Sequence, residues 1–337
     1  MRALGTESPA GSSRPLRIQL VTPARPGSRQ GNRVTAERWA RLLGELGHRV
    51  EVTEDWDGQA CELLVALHAR KSAESARRYR AQHPAGPLVV ALTGTDLYQD
   101  LGASVEAAAT VAAADRLVAL QPLAAAELPA AQRPKVRVLL QSAEAAPPLS
   151  GELAELADGG FAICLLAHLR AVKDPLCAAR AARLVPERSR LLVLHAGAAL
   201  DTELGAAAQQ EMATNRRYRW LGELPRAEAL ALLARCRLLA VSSWLEGGAN
   251  VVSEAIAAGV PVVTSRIPGS LGILGEDYPG CYPAGDAAAL AALLWRCERD
   301  PQLLAELAAR CQALRPLVDP ACEREGWRRL LAELFPR

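Results

Sequence analysis

The sequence predicts an α/β protein built as two doubly wound domains in tandem, with a cleft where strand ends face each other. Three observations predict it. Short apolar runs alternate with longer amphipathic stretches, the pattern of parallel strands joined by crossover helices. The alternation breaks once, over 141–160, where Ala-Ala-Pro-Pro and Asp-Gly-Gly occur, and then restarts. The length, 337 residues, is enough for a core in each of two domains.

The elements follow in order. Leu16–Thr22 (LRIQLVT) reads as a strand and Thr35–Leu46 as a helix that Gly47 closes as a C-terminal cap. Strands are predicted at Arg49–Thr53, Glu62–Leu67 and Leu88–Leu92, with a helix at Ser72–His83. A helix near Val105–Ala114 and strands at Leu117–Leu120 and Lys135–Leu140 complete the first half. The second half has strands at Phe161–Leu166, Leu191–His195, Arg219–Leu221, Leu238–Val241 and Val260–Thr264. Its tail holds helices near Ala287–Arg299, Pro301–Leu314 and from about Pro320 to Leu334. The division is therefore a flexible N-terminus (1–15), a first domain (16–141), a linker with a short helix (142–160), a second domain (161–318) and a C-terminal helix (319–337) packing back on the first domain. No 20–50-residue repeat is present.

Composition narrows the function. The chain is half apolar and 23% charged, as globular proteins are. A net charge of +2 gives no general attraction to nucleic acid or acidic membranes. Met1–Pro15 has no apolar core of a signal peptide, and no apolar run approaches the ~20 residues of a membrane span. The eight cysteines form no C-x-x-C pair and read as reduced, partly buried thiols of a cytoplasmic protein. Lysine occurs only at Lys71, Lys135 and Lys173.

Two segments carry the chemistry of the second half. In WLEGGANVVSEAIAAGVPVV (244–263) a strand leads through a glycine-rich turn into a helix starting near Ala249. The amides of Gly247, Gly248, Ala249, Asn250 and Val251 are left free at that start, where unpaired donors and the helix dipole favour phosphate. Glu246 lies just outside the helix. Glu254 lies more than one turn in, on the cleft-facing side, where a carboxylate can accept both hydroxyls of a ribose. The plainer alternative is a capped helix with Glu246 serving the dipole. In LLAHLRAVKDP (165–175), His168, Arg170 and Lys173 gather at a strand's C-terminal end. Lys173 can neutralise a leaving diphosphate; a solvated loop is the alternative.

The first half places TPARPGSRQGNR (22–33) after its first strand and HARK (68–71) after its third. Arg25, Arg29 and Arg33, with the exposed amides around Gly31 and Asn32, match a tetrahedral oxyanion. With His68 they suggest an acceptor carrying phosphate-like charge, against the alternative of a solvated basic loop. Thr93 and Asp96 end the fourth strand in TGTD and border the same region.

Together the two segments of the second half resemble the retaining glycosyltransferases of the GT-B fold, two Rossmann-like domains about a cleft. That family's Glu-x7-Glu pair coincides with Glu246 and Glu254, followed by Ala-Ala-Gly-Val-Pro-Val. The resemblance implies that Glu246 contacts the donor hexose and that Glu254 binds the ribose. It also implies that the turn amides and Lys173 hold the diphosphate. The sequence departs from the family twice: His168 stands where an arginine is usual, and Thr93 where a histidine is usual. His168 or Arg170 is left to supply the second cation. LGELP (221–225), with Leu224, resembles the loop that touches the base, and PAGDAAAL (283–290) resembles the usual tail.

Across nearly the whole chain beyond residue 15, the segments at 22–43, 66–73, 92–101, 168–175 and 246–263 are similar to the selenosugar synthases of selenoneine biosynthesis. That resemblance implies transfer of a hexose from UDP-N-acetylglucosamine or UDP-glucose to selenophosphate. It also implies functional partnership with a selenophosphate synthetase and a selenoneine-forming enzyme. No cofactor and no metal are expected. Asp55-Trp56-Asp57 has the D-x-D form of a metal site but lies in an acidic turn. His48, His83 and His195 read as structural or surface residues, and Trp39 with Leu43 and Leu46 as core. The rivals are a GT-B transferase acting on a lipid or glycan hydroxyl, a nucleotide-sugar epimerase, and a non-catalytic nucleotide-sugar sensor.

Overall fold

A computed structural model describes residues 14–336; the expected flexible N-terminus lies almost wholly outside the described residues. Two six-stranded, fully parallel sheets form the chain. The first comprises β1 (Arg17–Val21), β2 (Arg49–Thr53), β3 (Leu63–Leu67), β4 (Leu88–Leu92), β5 (Arg116–Ala119) and β6 (Val136–Val138), in the order β2-β1-β3-β4-β5-β6. The second comprises β7 (Phe161–Leu166), β8 (Leu191–Ala196), β9 (Tyr218–Trp220), β10 (Leu238–Val241), β11 (Val262–Ser265) and β12 (Cys281–Tyr282), in the order β12-β11-β10-β7-β8-β9. Every residue of β3 and β4 is buried, as expected of strands covered by helices on both faces.

This topology positions the site. The strand order reverses between β1 and β3 in one sheet and between β7 and β10 in the other. At such a switch point the loops leaving the two strands diverge and open a crevice. The four loops concerned are 22–30, 68–72, 167–174 and 242–249, which carry the segments singled out above.

The helices are α1 (Gly31–Glu45), α2 (Ala73–Gln82), α3 (Val105–Ala113), α4 (Glu152–Asp158), α5 (Cys177–Leu184), α6 (Thr202–Thr214), α7 (Arg226–Arg235), α8 (Asn250–Ala258), α9 (Pro268–Leu274), α10 (Ala287–Arg299), α11 (Pro301–Leu314) and α12 (Pro320–Leu334). From Ala143 onward the chain packs on the core of the second domain, until Val318. Helix α12 then crosses back: Trp327, Leu330 and Leu331 join the first-domain core around Ile18, Trp39 and Leu43. The Trp39 and Trp327 rings meet edge to face, 5.0 Å apart.

Three differences from the sequence expectations have physical reasons. Helix α1 begins at Gly31, four residues before the predicted Thr35. Its first turn borders the cleft and carries no apolar stripe, so periodicity begins only further in. Helix α9 was not predicted because Gly269 and Gly272 break its pattern. A Cβ there would sit 2.0 Å from the Glu246 carbonyl oxygen and 1.9 Å from Gln121 Oε1, so close packing demands glycine. Strand β12 is two residues long and has no period to detect.

Candidate active site

One cleft of about 460 Å3 lies between the sheets, lined by loops from both domains. Its second-domain wall is built on the turn from β10 into α8. The N-terminal cap of α8 is Ala249, which has no side-chain acceptor to offer. Among the described residues no protein group accepts from the amides of Gly247 to Val251. Unpaired amides and the helix dipole together make a seat for an anion.

Beside this seat Lys173 Nζ donates to Glu246 Oε1 at 2.5 Å, and Ser243 Oγ donates to the same oxygen at 2.6 Å. The Lys173 loop is anchored to the end of β10. Ser242 Oγ reaches the carbonyls of Lys173 and Asp174 at 3.0 and 2.9 Å, and the Trp244 amide reaches Val172 at 2.9 Å. The loop turns back through a left-handed residue, Asp174, with φ of 39°. Glu254 is 7% exposed and pairs with Arg226 at 2.8 Å, at the start of α7. The two acids therefore each hold a cation at the cleft.

His168 and Arg170 line the cavity with Lys173. His168 Nδ1 accepts from the Ala198 amide at 3.0 Å, which leaves the proton on Nε2 in the neutral ring. That Nε2 faces the Arg29 carbonyl of the other domain at 3.3 Å. Beneath the loop, His195 is fully buried between Tyr218 Oη (2.6 Å) and the Ala167 carbonyl (2.8 Å). Burial pushes its pKa down to about 4. It holds the loop from below and is structural.

The first-domain wall is more mixed. Arg29, Gly31, Asn32, His68 and Thr93 line the cleft. Arg29 also spans it, donating to the Leu224 carbonyl at 2.8 Å. His68 is 2% exposed and has φ of 75°, a left-handed conformation costly for a residue with a side chain. Its Nδ1 accepts from the Lys71 amide at 3.3 Å, and its Nε2 lies 2.9 Å from Thr95 Oγ1. Burial holds His68 below the usual histidine pKa.

Three of the expected acceptor residues lie elsewhere. Arg25 is outside the cavity lining. Arg33 is on the first turn of α1 rather than in the loop, and its Nε donates to Glu37 at 2.6 Å, one helical turn on. Asp96 is fully buried beneath the wall, accepting from the amides of Ala69, Thr93 and Gly94 at 2.8–2.9 Å. It ties the β3 and β4 loops together. Leu224, Gly247, Gly248, Ala249, Asn250 and Val251 all line the cavity.

Lys71, Thr95, Gln141 and Arg226 are among the cavity residues to which the sequence reading gives no role. Lys71 was visible within a basic segment. Gln141 ends the first domain in a segment read as linker, yet it is 2% exposed, with its side chain between Thr35 and Asn250. The two glycines of the β10–α8 turn have a role that spacing did not suggest. A Cβ on Gly247 would sit 2.4 Å from the Thr93 carbonyl carbon, and one on Gly248 2.5 Å from Leu120 Cβ. The second domain approaches the first at these positions. Asp55 and Asp57 flank the core residue Trp56, and among the described residues no group of three metal-ligating side chains occurs. No described helix is long and apolar enough to cross a membrane.

Several solved structures share this architecture. HepE of Anabaena, solved with UDP and glucose, superposes with a TM-score of 0.75 at 16% identity, over 94% of this chain and all of that one. Sucrose-phosphate synthase of Thermosynechococcus elongatus does so with 0.75 at 16% identity, over 95% of this chain and 99% of its own. A glycosyltransferase of Rickettsia africae gives 0.72 at 12% identity, over 96% and 100%. Two parallel sheets facing a cleft, with these neighbours, define the GT-B fold. The family model described as glycosyl transferases group 1 matches residues 154–313. The matched stretch includes the uncapped helix, Glu246 and Glu254.

Proposed function

We propose that the chain transfers the hexose of UDP-N-acetylglucosamine or UDP-glucose to selenophosphate. The observation that carries this reading is a cleft with an uncapped helix start and Lys173 on one wall and Arg29, His68 and Lys71 on the other. On the donor wall the amides of Gly247–Val251 and Lys173 hold the diphosphate, and Glu254 the ribose. Glu246, already joined to Lys173, meets the hexose. HepE, solved with UDP-glucose, shares the fold and supports the choice of donor.

The selenium of selenophosphate forms a bond to the anomeric carbon while the carbon–oxygen bond to the diphosphate breaks. UDP leaves with the electron pair, and water later cleaves the selenium–phosphorus bond to give phosphate. The nucleophile is ionised at neutral pH, so no general base is required. Catalysis comes from positioning and from stabilising charge on leaving UDP. The uncapped helix takes the role a metal has elsewhere, and turnover should survive EDTA. Selenophosphate would come from a selenophosphate synthetase and the product pass to a selenoneine-forming enzyme. The eight cysteines are all free thiols, which supports a cytoplasmic setting.

The test is mass spectrometry of products after incubation with selenophosphate and several UDP-sugars, with and without EDTA. A selenium-containing hexose with released UDP is expected. Transfer only to hydroxyl acceptors would replace this reading with an ordinary GT-B transferase. Loss of turnover in EDTA, restored by magnesium, would overturn the metal-free diphosphate site.

A further inference from the structure

The charges lining the cleft are unevenly used. Lys173 is paired with Glu246, Arg226 with Glu254, and Arg29 is held by the Leu224 carbonyl with Glu223 at 3.8 Å. Just outside the lining, Arg33 is taken by Glu37 and Arg70 by Asp100, at 2.6 and 2.9 Å. Among the described residues, two lining cations have neither ion pair nor side-chain hydrogen bond: Arg170 on the second-domain wall and Lys71 on the first. An ammonium in a cleft with no carboxylate beside it is an electrostatic site waiting for an anion.

Next to Lys71 stands a second donor. Because His68 Nδ1 accepts from the Lys71 amide, the neutral ring carries its proton on Nε2. Nε2–H then donates to Thr95 Oγ1 at 2.9 Å. The Thr95 hydroxyl, whose oxygen already accepts, has no protein acceptor for its own hydrogen among the described residues. It is left to donate into the cleft it lines. Asp96 fixes both loops from below, bonding the Ala69 amide on one side and those of Thr93 and Gly94 on the other. The strained backbone of His68 keeps its ring in the one place that joins them.

We propose that Lys71 and the Thr95 hydroxyl, oriented by His68, form the oxyanion subsite for the acceptor, selecting a phosphate-like anion over a neutral hydroxyl. This rests on the donor assignment above but not on selenium. Lys71 supplies charge, Thr95 a directed hydrogen bond, and His68 is a positioning residue. Lys71 thereby takes the part that Arg25 and Arg33 were expected to play, and Arg29 becomes a strut between the domains.

The subsite is tested by titrating thiophosphate into enzyme saturated with UDP, so that the diphosphate seat is filled and only the acceptor wall is read. Wild-type enzyme should bind the anion. Lys71→Met should weaken it at least tenfold, Lys71→Arg should restore part of the loss, and Thr95→Val should weaken it severalfold. UDP affinity should stay within twofold in all three variants. If wild type binds no thiophosphate, or if Lys71→Met binds as tightly as wild type, the subsite is wrong. If the anion binds through Lys71 but selenophosphate yields no sugar product, the subsite stands and the selenium reading alone falls.

Discussion

At the scale of single residues the site is made of pairs. Glu254 is buried against Arg226 and reaches the cleft one turn inside an uncapped helix. Under the proposed function, replacing it with alanine removes the charged acceptor assigned to the ribose hydroxyls. UDP binding should weaken by about 1.5–3 kcal/mol, roughly ten- to 150-fold in Kd, as read by calorimetry. Unchanged affinity in a folded variant would take Glu254 out of the nucleotide site. His195 makes the opposite kind of contribution, to stability alone. Its folded pKa is held at about 4, below the ordinary 6.5, because burial disfavours the imidazolium. The unfolded chain therefore takes up a proton below pH 6.5 that the folded one refuses. The stabilisation is complete above pH 6.5 and falls toward pH 4 by about 1.4 kcal/mol per unit. The gap in Tm between wild type and His195→Gln should narrow from pH 7 to pH 5. A constant gap would show that His195 is not held neutral in the folded protein.

At the scale of elements, α12 is the piece that joins the domains. Its Glu323 is 2% exposed and lies among first-domain groups and the crossover. Oε1 accepts from Trp39 Nε1 at 2.6 Å, and Oε2 from Arg38 Nε and the Ser142 amide, both at 2.9 Å. Arg38 in turn reaches the side chain of Asn250, the first residue of α8, at 3.0 Å. The helix that would seat the diphosphate is thus hydrogen-bonded to Arg38 of α1, which a buried ion pair ties in turn to α12. Such a pair adds little over a well-packed apolar contact, but removing one partner strands the other charge in the interior. Glu323→Ala should cost about 3–5 kcal/mol in urea denaturation. A loss under about 1 kcal/mol would mean that water reaches Arg38 and the junction is open.

At the scale of the whole molecule, the cleft works only if the domains approach closely, and glycine permits it. At Gly247 the backbones of the two domains leave no room for a Cβ. Gly247→Ala should leave each domain folded, with little change in Tm, and hold the walls apart. Because a misplacement of about 1 Å can cost on the order of a hundredfold, kcat/KM should fall steeply. Small-angle scattering with UDP should show a larger radius of gyration than wild type. Full activity would mean that the approach at Gly247 is not needed for turnover.

Much of this could be read without coordinates because it is local. Strands β2, β4, β7 and β10 and helices α10, α11 and α12 lie at the residues where apolar periodicity, caps and prolines place them. So does the start of α8, since a glycine turn between a strand and a helix is written in consecutive residues. What periodicity cannot hold is distance across the chain. Nothing in the sequence says that Gly247 faces Thr93, that Gln141 lies between Thr35 and Asn250, or that Arg33 spends its charge on Glu37 while Lys71 keeps its own. Arginines 25, 29 and 33 look alike as a basic run. One spans the cleft, one is neutralised one helical turn on, and one lies outside it, because where α1 begins sets the direction of each side chain. Local propensity sets which segments become strands and helices; packing between the two sheets sets which charges are left free to meet a ligand.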